Sequence, residues 1–429
     1  MYLFKNSKKD SWASWAVCIP AALFFFFDFL QMAVPNSIKV DIQNYFNIPE
    51  SKAMYVANAF SLGNFLFVFP AAIIVDRYPT RKVLLASLPF SFIGALGMAV
   101  SNCFFSFCLA RFLSGAAHAF CFLCCVSLVQ QWFSPKKIAF AMGVVVAIGC
   151  SGALFANIPF VWLLHNTRFT WQNLLLGNSL LIMLTWFIAF VCVHPFPSGE
   201  EQGLQKKETW GAFFASMKQA FKNRQNWLYA LFIPLINLPY SVIALVYMNE
   251  FLMRIHQVTE ETASTLTTGF FLGNILGAPL ANYISEKWGS RKKPMLVGAL
   301  GTLICSIVLL VVTPLPTAML WILLPALGLF ISAQVISYPA ITEMNPPSIV
   351  GRAMSITSFL FLGSIFILQS LTPWIFSTFC AAAAQRTKID YIYGFSHVLL
   401  GLIGALVLIF FLKETHKNAQ ENEQKHNKT

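Results

Sequence analysis

Twelve stretches of this 429-residue chain carry roughly 20 or more mostly apolar residues with almost no charge. A helix rises 1.5 Å per residue, so each stretch reaches across the roughly 30 Å hydrocarbon core of a bilayer. They lie at about 12–35, 53–75, 83–101, 104–130, 138–164, 172–194, 227–249, 262–285, 294–313, 318–341, 350–376 and 393–412. The runs are continuous rather than alternating, which argues against a membrane barrel. Only 11% of residues are charged and 57% are hydrophobic, where a soluble domain has about 25% charged. One core cannot hold that much apolar surface, so lipid must cover part of it. The expected fold class is an all-α membrane protein with twelve transmembrane helices. The first run is too long for the apolar region of a cleaved leader, so it reads as a span.

The net charge of +12 does not point to nucleic acid, because the bases fall in short loops that alternate along the chain. Placing the N-terminus in the cytoplasm puts 22 of the 29 Lys and Arg residues inside and 6 outside, and leaves Arg111 in the membrane. That bias orients the chain with both ends cytoplasmic. The expected location is a bacterial inner membrane. The one long polar connection, 195–226, follows the sixth run and contains an amphipathic stretch with Lys218 and Lys222, suited to the inner lipid surface. It separates a first six-helix bundle, 1–194, from a second, 227–413. Residues 414–429 read as a disordered cytoplasmic tail.

The two bundles echo one another. Phe60-Ser61-Leu62-Gly63-Asn64-Phe65-Leu66 returns as Phe270-Phe271-Leu272-Gly273-Asn274-Ile275-Leu276, 210 positions later. Asp76-Arg77-Tyr78-Pro79-Thr80-Arg81-Lys82 returns as Glu286-Lys287-Trp288-Gly289-Ser290-Arg291-Lys292 at the same offset. Ser134-Pro135 and Ala141-Met142 return as Pro346-Pro347 and Ala353-Met354 at an offset of 212. Such repeats in an apolar chain mark transporter folds, so the bundles are expected to be pseudo-symmetric.

The Asp-Arg-x-x-x-Arg-Lys loop after the second run of each half resembles the signature loop of the major facilitator superfamily. Ala72 and Pro79 stand where that family usually has glycine, and Glu286 stands for its aspartate. The resemblance implies the major facilitator fold and alternating access. It also implies a gating role at the cytoplasmic face for Asp76, Arg77, Arg81, Lys82, Glu286, Lys287 and Arg291. The alternative is that these bases only set topology. Glu343, at the inner end of the tenth run, reads as a second gate or a cap.

Asp28 is the one acid well inside an apolar run, and a charge there costs at least about 2.5 kcal/mol. It should face the bundle interior, with Gln31 one turn away on the same face. Arg111 is the one base inside a run. Arg111-Phe112-Leu113-Ser114-Gly115 resembles a superfamily pattern linked to proton coupling, and His118 falls on the same face. The expectation is a buried pair of Asp28 and Arg111 that protons loosen, with His118 titrating beside it. The alternatives are a structural ion pair and a satisfied core histidine. Gln31, Gly115, Asn237, Tyr240, Gln334 and Gln369 are expected at a solute cavity. Asn237 and Tyr240 stand out because Pro234 and Pro239 interrupt their helix, and broken helices line cavities. Asn58, Asn64, Asn157 and Asn274 read as bonds between helices.

Nothing suggests an enzyme. There is no nucleotide-binding loop and no nucleophile–base set. Cys121, Cys124 and Cys125 on one helix lack the turn geometry and histidine of a zinc site, so they read as packing. No metal, cofactor or nucleic-acid partner is expected. The expected partners are protons, a small solute and the bilayer, with the protein a monomer. The leading function is proton-linked import of a small polar solute, with Arg111 suiting a carboxylate such as an amino acid or siderophore. Phe27-Asp28-Phe29 with Gln31 faintly resembles nutrient and siderophore carriers of intracellular bacteria within that superfamily. Proton-driven efflux and a non-transporting sensor are the other readings. Ala156-Asn157, in place of the Gly-Pro of superfamily antiporters, weighs against efflux.

Overall fold

A computed structural model describes residues 9–194, 210–312, 314–380 and 385–416. The linker from 195 to 209 and the tail beyond 416 lie outside the described residues. All regular structure among the described residues is helical. The chain forms two compact units, Met1–Glu208 and Thr209–Thr429.

The first unit holds α1 (Trp12–Ser37), α2 (Lys39–Phe46), α3 (Glu50–Arg77), α4 (Thr80–Ala99), α5 (Phe104–His118), α6 (Cys121–Trp132), α7 (Pro135–Asn157), α8 (Pro159–Asn166) and α9 (Trp171–Cys192). Six spans emerge, because α5 and α6 make one broken span and α8 follows α7. Proline opens α7 and α8, where its missing N–H costs nothing. The short α2 lies beyond the first span and was not legible as a separate element.

The second unit holds α10 (Trp210–Lys222), α11 (Arg224–Ile236), a π-helical stretch at Pro239–Tyr247, and α12 (Met248–Ile255). Then come α13 (Glu260–Trp288), α14 (Lys292–Val311), α15 (Thr317–Ile331), a 3₁₀ stretch at Ser332–Ile336, and α16 (Ser337–Met344). The unit closes with α17 (Pro347–Phe379), α18 (Lys388–Gly394) and α19 (Ser396–Phe411). Helix α10, the amphipathic piece of the expected linker, packs on α17 and α11 and so belongs to this unit.

Among the described residues, ten spans are long and apolar enough to cross a membrane, and the α18–α19 pair, bent by 46°, makes eleven. The remaining expected span is α13, 29 residues long and diluted by Thr, Ser and Asn. The twelve expected runs therefore all fall on helices.

Pairing inside the two units follows one plan. In the first, α1 packs on α7 and α9, α3 on α5, and α4 on α5 and α9. In the second, α11 packs on α17 and α19, α13 on α15, and α14 on α15 and α19. Glycine sets a matching tight crossing in each. A methyl group at Gly115 would overlap the Phe60 carbonyl, and one at Gly63 the Phe112 carbonyl. At the matching places, a methyl at Gly328 would overlap the Phe270 carbonyl, and one at Gly273 the Pro325 carbonyl. Gly115 thus serves the α3–α5 crossing, and its expected place at a solute cavity gives way to packing of backbone on backbone.

Candidate functional site

The polar heart of the first unit lies between α1, α3, α5 and α6. Aromatic residues on both sides of Asp28 bury it to 6% exposure. The Cys121 thiol of α6 interacts with its carboxyl, and its Oδ1 has no hydrogen-bond partner among the described residues. One turn on, Gln31 is 1% exposed. Its Oε1 accepts a hydrogen bond from the Ser114 hydroxyl, while its Nε2 has no partner.

Arg111 is 2% exposed. Its Nη1 donates to the Gln31 carbonyl at 2.7 Å and its Nε to the Val56 carbonyl at 3.3 Å. The Phe60 ring covers the guanidinium, 4.7 Å from ring centre to Cζ. No acid among the described residues lies within the 4.0 Å of an ion pair, so the expected Asp28–Arg111 pair is not formed in this structure. Carbonyls on α1 and α3 and a π face take its place. These partners are backbone atoms and a ring, which a search for opposite charges overlooks.

His118 Nδ1 lies 2.8 Å from the Ser114 carbonyl, which can only accept, so Nδ1 carries the hydrogen. Its Nε2 accepts from the Ser91 hydroxyl at 3.2 Å. The ring sits between Phe24 and Phe60, with centroids at 5.0 and 5.6 Å. Both nitrogens are in use, which is the arrangement of a satisfied core histidine. Ser114, the third residue after Arg111, ties Gln31 to this group and was visible in the same motif but passed over.

In the second unit the two irregular stretches are joined. Asn237 Nδ2 donates to the Gln334 Oε1 across the bundle and to the Ile233 carbonyl at 2.8 Å. Gln334 sits in the 3₁₀ stretch, and Asn237 caps α11 two residues before the π-helical one. Off-register turns of this kind recur at functional sites. Tyr240 is 5% exposed, with its ring 5.8 Å from that of Phe271. Gln369 is buried on α17.

The residues of the expected gate divide differently. In the first unit Asp76 and Lys82 are exposed and Arg77 is half-buried. Arg81 donates to the Phe190 carbonyl of α9 at 2.9 Å. In the second, Lys287 is exposed, but Arg291 is 4% exposed and centres a knot. It meets Glu286 at 2.7 Å and Glu343 at 2.5 Å, and its Nη1 donates to Ser285 Oγ at 3.0 Å. The segment after α19 completes the knot. Glu414 accepts from the Ser290 hydroxyl at 2.5 Å and from the Arg291 N–H at 2.8 Å. Thr415 donates to Glu343 at 2.6 Å, and His416 lies 3.1 Å from Glu286.

Residues 414–416 are therefore held, where the tail was expected to be disordered from 414, because the loop offers N–H groups and Arg291 to an incoming carboxylate. All these partners belong to the second unit, so the knot fastens one bundle at the end where α13 gives way to α14. Burial pushes the Glu286 carboxyl up, but Arg291 and His416 outweigh it and hold it below the usual carboxylate range. Burial likewise opposes Glu414, which the Ser290 hydroxyl and the N–H groups of Arg291, Lys292 and His416 hold low.

Two further polar clusters escaped the sequence reading. Asn226 and Asn345 exchange amide hydrogen bonds of 3.1 and 2.7 Å between the start of α11 and the end of α16. At the other end, Glu250 accepts from Tyr391 at 2.9 Å and pairs with Arg386 and Arg254 at 3.3 Å each. No group of residues able to hold a metal ion occurs among those described.

Residues 21–251 and 235–429 both match the Major Facilitator Superfamily. The chain belongs to that superfamily and is a multi-pass membrane protein of its transporter class. Over 146 residues it is 26% identical to an uncharacterized MFS-type transporter, YceJ, of Bacillus subtilis (strain 168). That match spans 33% of this chain and 37% of the relative's length. Two solved structures share the fold. One is a D-xylose–proton symporter, with a TM-score of 0.72 at 15% identity over 94% of this chain and 98% of that one. The other is a bacterial homologue of the human lysosomal transporter Spinster, with 0.67 at 17% identity over 94% and 96%.

Proposed function

We propose that this protein imports a small polar organic solute together with protons, by alternating access, across the cytoplasmic membrane of a bacterium. It acts as a monomer with both ends in the cytoplasm. The observation that carries this reading is Asp28, an acid buried among phenylalanines with, among the described residues, one carboxyl oxygen unbonded and no cation paired to it. A lone carboxylate in apolar surroundings is costly unless it takes up a proton or meets a ligand. Such a group couples the two events, because each changes the cost of the other. The fold shared with a D-xylose–proton symporter lends support, since that fold accommodates proton-linked transport.

The test is uptake of a panel of radiolabelled solutes into right-side-out vesicles under an imposed proton gradient. Accumulation should collapse with an uncoupler and in Asp28→Asn, while exchange of internal for external solute persists in that variant. Accumulation indifferent to both would overturn the reading, and extrusion driven by the gradient would make the protein an exporter.

A further inference from the structure

Three buried polar groups of the first unit decide what kind of solute it can hold. The first is Arg111, a buried cation within the Phe104–Trp132 span. A carboxylate is gripped by a guanidinium through two parallel N–H groups, either Nε with one Nη or the two Nη together. One N–H nitrogen of each prong is already committed: Nε to Val56 and Nη1 to Gln31. The Phe60 ring covers one face. Arg111 thus ties α1 and α3 to α5, and an anion would have to break those ties to be gripped.

The other two groups have capacity to spare. Among the described residues, Asp28 Oδ1 is a buried acceptor without a donor, and Gln31 Nε2 is a buried donor without an acceptor. The side chains are 6% and 1% exposed and share a face of α1, one turn apart. Ser114 pins the Gln31 Oε1, which settles which end of the amide remains open. In the second unit the corresponding chemistry is again uncharged, in the amides of Asn237 and Gln334. Buried polar groups of this kind are costly while unbonded, and a ligand that bonds them removes that cost.

We infer that the solute is uncharged and rich in hydroxyl or amide groups, and that Asp28 and Gln31 hold it from α1. Gln31 Nε2 donates to a solute oxygen, and Asp28 Oδ1 accepts from a solute O–H or N–H. This narrows the solute class of the proposed transporter and rests on that reading. It replaces the carboxylate expected from Arg111.

The experiment is thermal-shift binding on purified full-length protein, which needs no proton gradient. The neutral probes are D-glucose, myo-inositol and N-acetylglucosamine. The charged probes are succinate, citrate, L-glutamate, choline and putrescine. At least one neutral probe should raise the melting temperature, and the charged set should not. Gln31→Glu keeps the oxygen that Ser114 needs and replaces only the donor; Gln31→Met tests the same loss without a charge. Both should fold as judged by melting temperature, yet raise the half-saturating concentration of the neutral probe at least tenfold. Stabilisation by charged probes alone, or neutral binding unchanged in both variants, overturns the inference. Uncoupler-sensitive uptake of an anion would sink this inference and leave proton coupling standing. Uncoupler-insensitive uptake of a neutral probe would do the reverse.

Discussion

Arg111 illustrates what a single residue discloses before its neighbours are known. Its position among apolar residues announced that it must find partners, and it has them. Which partners was not legible, since the Gln31 and Val56 carbonyls belong to every residue type alike and the Phe60 ring carries no formal charge. The same holds for His118, whose two bonds go to a carbonyl and a hydroxyl. Asp28 was the easier case, because a solitary acid between phenylalanines needs no partner to be noticed. Arg111→Lys should keep the charge and lose the geometry. An ammonium is a compact point charge, and it cannot span two carbonyls on different helices as the planar fork does. A hydrogen bond to a charged group is worth about 1.5–3 kcal/mol, so the variant should lose roughly 2 kcal/mol, read as a lower melting temperature in detergent. A melting temperature equal to wild type would show that the ties are dispensable.

At the scale of elements, the spans were legible almost to their ends because apolar length is a crude and strong signal. Interruptions were half legible. Pro234 and Pro239 flagged the irregular stretch after α11, but no proline or glycine marks Ser332–Ile336, where only the 3₁₀ turn betrays the break. Helix crossings were hidden, since a glycine in an apolar run looks the same whether it meets lipid or backbone. The repeated offset did hold a clue: Phe60 and Gly63 recur as Phe270 and Gly273, and these residues make both crossings. Gly115→Val and Gly328→Val should therefore act alike, each separating two helices. Overpacking costs about 1–3 kcal/mol and sometimes more. Because the clash is with backbone, each variant should lose at least about 3 kcal/mol, seen as poor expression and aggregation on size-exclusion chromatography. Gly143 and Gly177, which have open space around them, should tolerate alanine in the same assay.

For the molecule as a whole, twin bundles were legible from the echo and the one long polar connection, and the tail was not, because its order depends on what waits at the α13–α14 loop. The knot there should be sensitive to acid. Both Glu286 and Glu414 are held below their ordinary value of 4.5. A lowered carboxyl pKa adds stability that is full above that value and fades as pH falls through the folded-state value. Melting temperature should therefore drop below about pH 4.5, and less so in Glu414→Gln, which has already given up part of the linkage. An acid profile identical in the variant would mean that Glu414 contributes nothing. Orientation can be checked with a native thiol. Cys103 is the one exposed cysteine of ten, at the start of α5 in a loop assigned to the outside. A membrane-impermeant maleimide should label it in intact cells, and labelling should vanish in Cys103→Ser; label reaching it only after lysis would invert the topology. The knot also has a consequence in time. Glu414 is made 123 residues after Arg291, so the α13–α14 loop stays unfastened until α14 through α19 have all been synthesised. A stop codon placed right after α19 would leave Arg291 permanently short of its final clasp.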